Sequence, residues 1–220
     1  MAKLARIENA ADFARFFSVS HETLDKLKLY ERLLIQWQKA VNLIAPATIP
    51  RIWGRHFADS AQLLSLAPGA RIWVDLGSGG GFPGLAIAIM LANQKECCVH
   101  LIESNSRKCA FLSEVARQTG APAKIQNARI ADAASAQVVP AADVITARAL
   151  APLGELLGEA LPFFSNASAG LFLKGREAGV EIAEARKRWV FDVKIHPSIS
   201  DEEGKILEIR KPVLKRGGQQ

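Results

Sequence analysis

Five glycines fall within the eight residues from Gly77 to Gly84. They stand in the run Val74-Asp75-Leu76-Gly77-Ser78-Gly79-Gly80-Gly81-Phe82-Pro83-Gly84, where a short apolar stretch gives way to a helical one. Glycine in such a place allows positive φ and lets a ligand approach the backbone closely. A tight turn alone needs fewer, so the loop reads as a ligand cradle at a strand-to-helix junction. Gly79, Gly81 and Gly84 formally match the G-x-G-x-x-G of dinucleotide sites. Two neighbours argue for another ligand. The carboxylate of Asp75, two residues before the first glycine, would repel a pyrophosphate but suits the sulfonium and ammonium groups of S-adenosylmethionine. Pro83 removes an N–H that phosphate binding at a helix start would use.

Glu103 ends a second apolar run, 19 residues after Gly84. A carboxylate there can accept both hydroxyls of an adenosine ribose, although a solvated strand-end charge would look the same in isolation. Arg148 ends a further apolar run. In an open α/β sheet the carboxyl ends of the strands border the ligand crevice, which favours a binding role over that of a surface arginine. His56 and Asp59 are three apart on a presumed helix and so share a face. They suit either the substrate side or a polar contact joining two parts of the structure.

The elements needed to position these residues can be read from periodicity. From Glu22 to Val41, apolar residues recur three and four apart, predicting a helix. A second helix is expected over about Arg51 to Leu66, after a loop from Asn42 to Pro50. Past Pro68-Gly69, short apolar runs alternate with helical stretches. Strands are expected at 71–76, 98–103, 124–127, 143–147 and 170–174. Helices are expected from about Pro83, over Ser106 to Thr119, around Pro152 to Leu161 and around Val180 to Trp189. Residues 190–196 and 205–210 would close the sheet as an antiparallel pair. This alternation implies parallel βαβ units, hence an α/β, doubly wound, Rossmann-like sheet. The expected division is an N-terminal helical region at 1–67, a cofactor-binding domain at 70–212 and a basic tail at 213–220, with fraying from Lys211 onward.

Composition sets the outer bounds. The 220 residues are 49% hydrophobic, enough for one real core. Lys and Arg number 28 against 22 acidic residues, a surplus that suits a polyanionic partner such as nucleic acid but also serves solubility. The three cysteines and four histidines show no metal-ligand spacing, so no metal is expected. No secretion leader is apparent, and Leu85 to Ala92 is too short an apolar run to span a bilayer, so no membrane role and a cytoplasmic location are expected. Trp37, Trp53, Trp73 and Trp189 could stack on bases, but their spacing suits a core, most clearly for Trp37 and Trp73. Arg51, Arg55, Arg107, Lys108, Lys174, Lys205, Arg210, Lys211, Lys215 and Arg216 are candidates for phosphate contacts.

Taken in order, several motifs bring a family into view. They are Asn42-Leu43, Arg55-His56-Phe57-Ala58-Asp59-Ser60, the glycine loop through Phe82-Pro83-Gly84, Leu101-Ile102-Glu103-Ser104 with Arg107-Lys108 and Phe111-Leu112, Arg148 with Ala149, and Leu173-Lys174-Gly175. Over residues 37 to 175 the chain resembles the RsmG family, also called GidB. That resemblance implies a class I methyltransferase sheet with an N-terminal helical extension, acting on N7 of a guanine in 16S ribosomal RNA. The implied partner is 16S rRNA or the small ribosomal subunit, and the chain is expected to be a monomer. By motif, Gly77 and Phe82 would lie against the methionine and adenosine parts of the cofactor, and Ile130 and Ala131 would flank its adenine. The cofactor set is then Asp75, Gly77, Gly79, Phe82, Glu103, Ile130, Ala131 and Arg148. The substrate set is Arg148, His56, Asp59 and Lys174. Ile44, Gly80 and Ala147 depart from the residues usual in the family at those places.

Guanine N7 carries an in-plane lone pair, so methyl transfer to it needs no general base. Two other readings stay open on sequence alone. One is an NAD-dependent oxidoreductase, opposed by Asp75, Pro83 and the lack of a hydride-transfer constellation. The other is a non-catalytic RNA-binding module that keeps the fold; a methyltransferase acting on a small molecule or a protein is opposed only by the family resemblance and the basic balance.

Overall fold

The computed structural model describes residues 6–137 and 139–215. Helices α1 (Ala10–Phe17) and α2 (His21–Gln38) open the chain. A 3-10 turn (Pro46–Arg51) and a π-helical turn (Trp53–Ala58) lead into α3 (Asp59–Leu66). Then follow β1 (Ile72–Leu76), α4 (Gly84–Met90), β2 (Cys98–Glu103), α5 (Ser106–Thr119), β3 (Ala123–Asn127) and α6 (Ile130–Ser135). The chain continues with β4 (Val144–Arg148), α7 (Leu153–Ala160), β5 (Ala169–Lys174), α8 (Ala178–Arg188), β6 (Trp189–Pro197) and β7 (Lys205–Leu214).

The seven strands form one sheet in the order β3-β2-β1-β4-β5-β7-β6. β1 through β5 run parallel, and β7 inserts antiparallel between β5 and β6. The order reverses between β1 and β4, which opens a crevice above their carboxyl ends. Asp143 fixes the start of this junction, because its carboxylate accepts from the amides of Arg71 and Ile72 at 2.8 and 2.9 Å.

Alternation along β1 decides which core each residue joins. Trp73 packs with α2, α4, α5 and the N-terminal turns, whereas Val74 and Leu76 pack with α7 and α8. The N-terminal helices share the first of these clusters with the sheet. Gln38 shapes the loop that follows α2. Its Oε1 accepts from the amides of Leu43 and Ile44, and its Nε2 donates to the Ile44 carbonyl.

Most expected elements are present within a residue or two. The Asn42–Pro50 loop contains a 3-10 turn, and the helix expected from about Arg51 begins as a π-helical turn and becomes regular only at Asp59. The short α6 was not foreseen. β7 continues through Leu214, so pairing with β6 takes in residues assigned by composition to a frayed tail. Arg216 and the four residues after it lie outside the described residues. Trp53, Trp73 and Trp189 are buried, and Trp37 packs partly covered against Phe111, so tertiary packing uses all four rings.

Candidate active site at the β1–β4 crevice

The carboxyl ends of β1, β2 and β4 border an open cavity of about 1030 Å³. Gly77, Gly79, Ile102, Glu103, Ile130, Ala131 and Arg148 all line it. Small-molecule sites occupy roughly 300–1,000 Å³, so a nucleoside-sized ligand has room here. Of the eight residues expected to hold the cofactor, six are on this wall.

Glu103 is held from both sides. Oε2 accepts from the Gly79 amide at 2.9 Å and Oε1 from the Asn105 amide at 2.8 Å. The side chain of Asn105 in turn caps α5 through the amides of Arg107 and Lys108. The carboxylate is thereby locked to the glycine loop and the next helix, leaving lone pairs free for further donors. Apolar Ile102, Ile130 and Ala131 surround it along the cavity wall. A fixed carboxylate beside an apolar slot fits the ribose and adenine of S-adenosylmethionine, which would pair its hydroxyls with Glu103 and lay its ring against Ile130 and Ala131.

Two expected contacts are placed differently. Asp75 is 1% exposed and is not part of the cavity wall. Strand alternation turns it toward α4, where a Cβ on Gly84 would come within 2.7 Å of its Oδ2. Its Oδ1 accepts from the Thr146 hydroxyl at 2.7 Å, while Oδ2 has no hydrogen-bond partner among the described residues. Burial pushes this carboxyl up to about 6, against the lowering effect of Thr146. Phe82 also leaves the cavity. Its ring stacks on Tyr30 at 5.1 Å and sits 4.8 Å from the His56 ring, because the N-terminal helices supply an aromatic cluster for it.

The glycine loop accordingly serves two neighbours. Gly77 has φ 63°, and a Cβ there would lie 2.6 Å from Leu150, a cavity-wall residue. Gly81 has φ 93°, and a Cβ there would lie 2.5 Å from the Tyr30 hydroxyl. That hydroxyl donates to the Gly80 carbonyl at 2.5 Å. Part of the glycine excess is therefore a packing requirement imposed by α2. Tyr30, the only tyrosine in the sequence, was missed by sequence reasoning, because a residue on an apolar helix face carries no signal of a distant backbone partner.

Arg148 lies between two cavities. It borders the larger one together with Ala149 and Leu150, and the same three residues border a second cavity of about 360 Å³. Arg55, Asp59, Lys174 and Lys205 line that second space. The Arg148 guanidinium donates to His56 Nδ1 at 3.0 Å. Its burial lowers its pKa to about 10, which leaves it charged near neutral pH. Burial, with help from Arg148 and Arg55, drives His56 down to about 3.

The other expected substrate residues are largely engaged within the protein. His56 and Asp59 do not present a shared open face: they are 6% and 2% exposed. Asp59 Oδ1 accepts from Gln62, Ser198 and Ser200, and Oδ2 pairs with Arg55 at 3.0 Å. This ties α3 to the segment between β6 and β7. Lys174 donates to the Ala151 carbonyl and to Glu181, both at 2.6 Å, and Glu181 also accepts from the Leu153 amide. The lysine thus fixes the β4–α7 connection instead of offering a free ammonium. Among the other basic candidates, Lys108 borders the larger cavity and Arg55 and Lys205 the smaller. Arg210 pairs with Glu208 away from both, and Arg129, on the larger cavity's wall, went unlisted in the sequence reading.

A seven-stranded sheet of this order, with a glycine loop after β1 and a carboxylate closing β2, defines a class I, Rossmann-like, S-adenosylmethionine-dependent methyltransferase. An O-methyltransferase from Bacillus cereus, solved in complex with SAH, has the same fold: TM-score 0.58 at 13% identity, covering 83% of this chain and 90% of that one. The fibrillarin/Nop5p complex contains it as well, with TM-score 0.54 at 11% identity, over 70% and 81% of the chains. The GidB family, described as rRNA small subunit methyltransferase G, matches residues 23–209, and the chain belongs to it. The ribosomal RNA small subunit methyltransferase G of Parvibaculum lavamentivorans is 50% identical over 93% of this chain and 90% of its own. That of Paramagnetospirillum magneticum is 50% identical over 92% and 94%.

Among the described residues no helix is long and apolar enough to cross a membrane, and no group of His, Cys, Asp and Glu could hold a metal ion. Cys97, Cys98 and Cys109 are free thiols.

Proposed function

We propose that this protein methylates N7 of a guanine in 16S ribosomal RNA, acting in the cytoplasm as a monomer without a metal. The carrying observation is Arg148, Ala149 and Leu150 forming a wall common to the two cavities. The larger cavity takes S-adenosylmethionine, which supplies an electrophilic methyl group when bound. The smaller one, bordered by Arg55, Lys174 and Lys205, receives the target nucleotide across that wall.

The chain's own residues bind and orient. Glu103 anchors the ribose side, Gly77 and Gly79 admit the ligand to the backbone, and Ile130 and Ala131 exclude water from the adenine. Asp75 supports the cationic end from behind the loop through its field. Arg148 grips an anionic group of the substrate with its planar fork. Orientation of this kind lowers a barrier by about 7–11 kcal/mol at best. No side chain is required as a base, because the N7 lone pair is already available. Family membership disfavours the oxidoreductase reading, and methyl transfer itself separates an enzyme from an RNA-binding module.

The test is transfer of labelled methyl groups to naked 16S rRNA and to isolated small subunits, followed by mapping of the modified base. Incorporation at a guanine N7 is the expected result. Absence of transfer to both substrates, or transfer to a protein, would overturn the reading.

A further inference from the structure

Arg148 is held by a chain of hydrogen bonds that runs back into the N-terminal region. A guanidinium only donates, so His56 Nδ1, at 3.0 Å, must accept. The ring is then neutral with its proton on Nε2, which donates to Thr48 Oγ1 at 2.8 Å. The Thr48 hydroxyl donates onward to the Ala45 carbonyl at 2.7 Å. Each link has one polarity, and together they fix the tautomer of His56. The ring is also confined by Phe82 at 4.8 Å, itself stacked on Tyr30. Thr48 borders neither cavity.

We propose that Thr48 and His56 are positioning residues: by locking the His56 proton on Nε2 they hold the Arg148 guanidinium at the wall between the two cavities. This rests on the reading that Arg148 contacts the substrate. An arginine left free would have to be ordered on the way from bound substrate to the transition state, losing rotamer freedom at that step, and a preset one does not. Among the described residues, the other charged groups nearby do not supply a rival anchor for the ring. Arg55 is paired with Asp59 and Asp201, and Asp59 is turned toward Ser198 and Ser200.

The decisive variants are Thr48→Val, which keeps shape but loses the hydroxyl, and Thr48→Ser, which keeps the hydroxyl. Without an acceptor at Nε2 the ring can move its proton to Nδ1, where it would face the guanidinium donor to donor. Thr48→Val should lower kcat for rRNA methylation at least about fivefold, with cofactor affinity and rRNA KM within about twofold of wild type. Thr48→Ser should restore kcat to within about twofold. Nitrogen-15 NMR of histidine-labelled protein should show the Nε2–H tautomer for His56 in wild type and a shift toward Nδ1–H in Thr48→Val. Thermal unfolding checks that the variants are folded, and Thr48→Ala replaces the valine variant, with the same expectations, if that one is not. A wild-type kcat in the hydroxyl-less variant, or an Nδ1–H tautomer in wild type, overturns the proposal. If the wild-type chain transfers no methyl to rRNA, the functional reading falls, and the tautomer signal alone decides whether Thr48 and His56 orient Arg148.

Discussion

Arg148, at the end of β4, donates to His56 Nδ1, 92 residues earlier in the chain. Two groups that are both cationic in acid are thus within hydrogen-bond distance in the fold. Only a neutral imidazole can accept that bond.

His56 gives stability a definite pH dependence. Its folded pKa of about 3 lies below the ordinary 6.5, so its contribution is complete above 6.5 and is lost as pH falls toward 3. The loss amounts to at most about 5 kcal/mol, at roughly 1.4 kcal/mol per pKa unit. His56→Asn keeps an acceptor toward Arg148 but does not titrate. Denaturant unfolding from pH 7 to pH 4 should show the wild type losing this contribution and the variant lacking it. Parallel profiles for the two proteins would mean that His56 is not buried neutral.

Asp75 works in the opposite direction. Its folded pKa of about 6 lies above the ordinary 3.8, so its contribution is complete below 3.8 and is lost as pH rises through 6. The difference is at most about 3 kcal/mol. Asp75→Asn should therefore gain stability relative to wild type between pH 4 and 7, measured by thermal unfolding of the cofactor-free protein. A constant difference across that range would show that the carboxyl stays ionised or is solvated.

For Arg148, Arg148→Ala should lower methyl transfer at least about tenfold, which is about 1.4 kcal/mol of transition-state stabilisation. Arg148→Lys keeps the charge but not the fork, and should recover little. Single-turnover methylation of rRNA reads both. Wild-type rates in Arg148→Ala, with cofactor affinity intact, would remove Arg148 from the site.

Glu103→Gln tests the cofactor side. An amide nitrogen would face either the Gly79 or the Asn105 N–H, two donors opposed. S-adenosylmethionine affinity should fall by roughly 1–3 kcal/mol in titration calorimetry, the usual cost of a lost hydrogen bond with a group left unsatisfied. Unchanged affinity would show that the cavity beside Glu103 does not take the ribose.

Asp59→Ala separates structure from substrate contact. The loss leaves Ser198, Ser200, Gln62 and Arg55 without their common acceptor. Stability should drop by about 1–3 kcal/mol in chemical denaturation. The rRNA KM of the folded fraction should stay near wild type; a large rise in KM with little loss of stability would restore Asp59 to the substrate side.

The sequence by itself determined the sheet and half of the site. Strand and helix periodicity placed β2 and α5 to the residue, and the glycine loop with Glu103 marked a wall of the larger cavity, because these signals are local: a strand end, a turn, a helix start. The tertiary structure alone decided the rest. It turned Asp75 away from the cavity through strand alternation, and it drew Phe82 into the aromatic cluster of α2. It joined Tyr30 to Gly80, and it enclosed His56 between Thr48 and Arg148. Those contacts link residues 8, 50 and 92 positions apart. Which of several polar side chains meets which partner at such separations depends on how the N-terminal helices pack on the sheet, and helical or strand period carries no record of that.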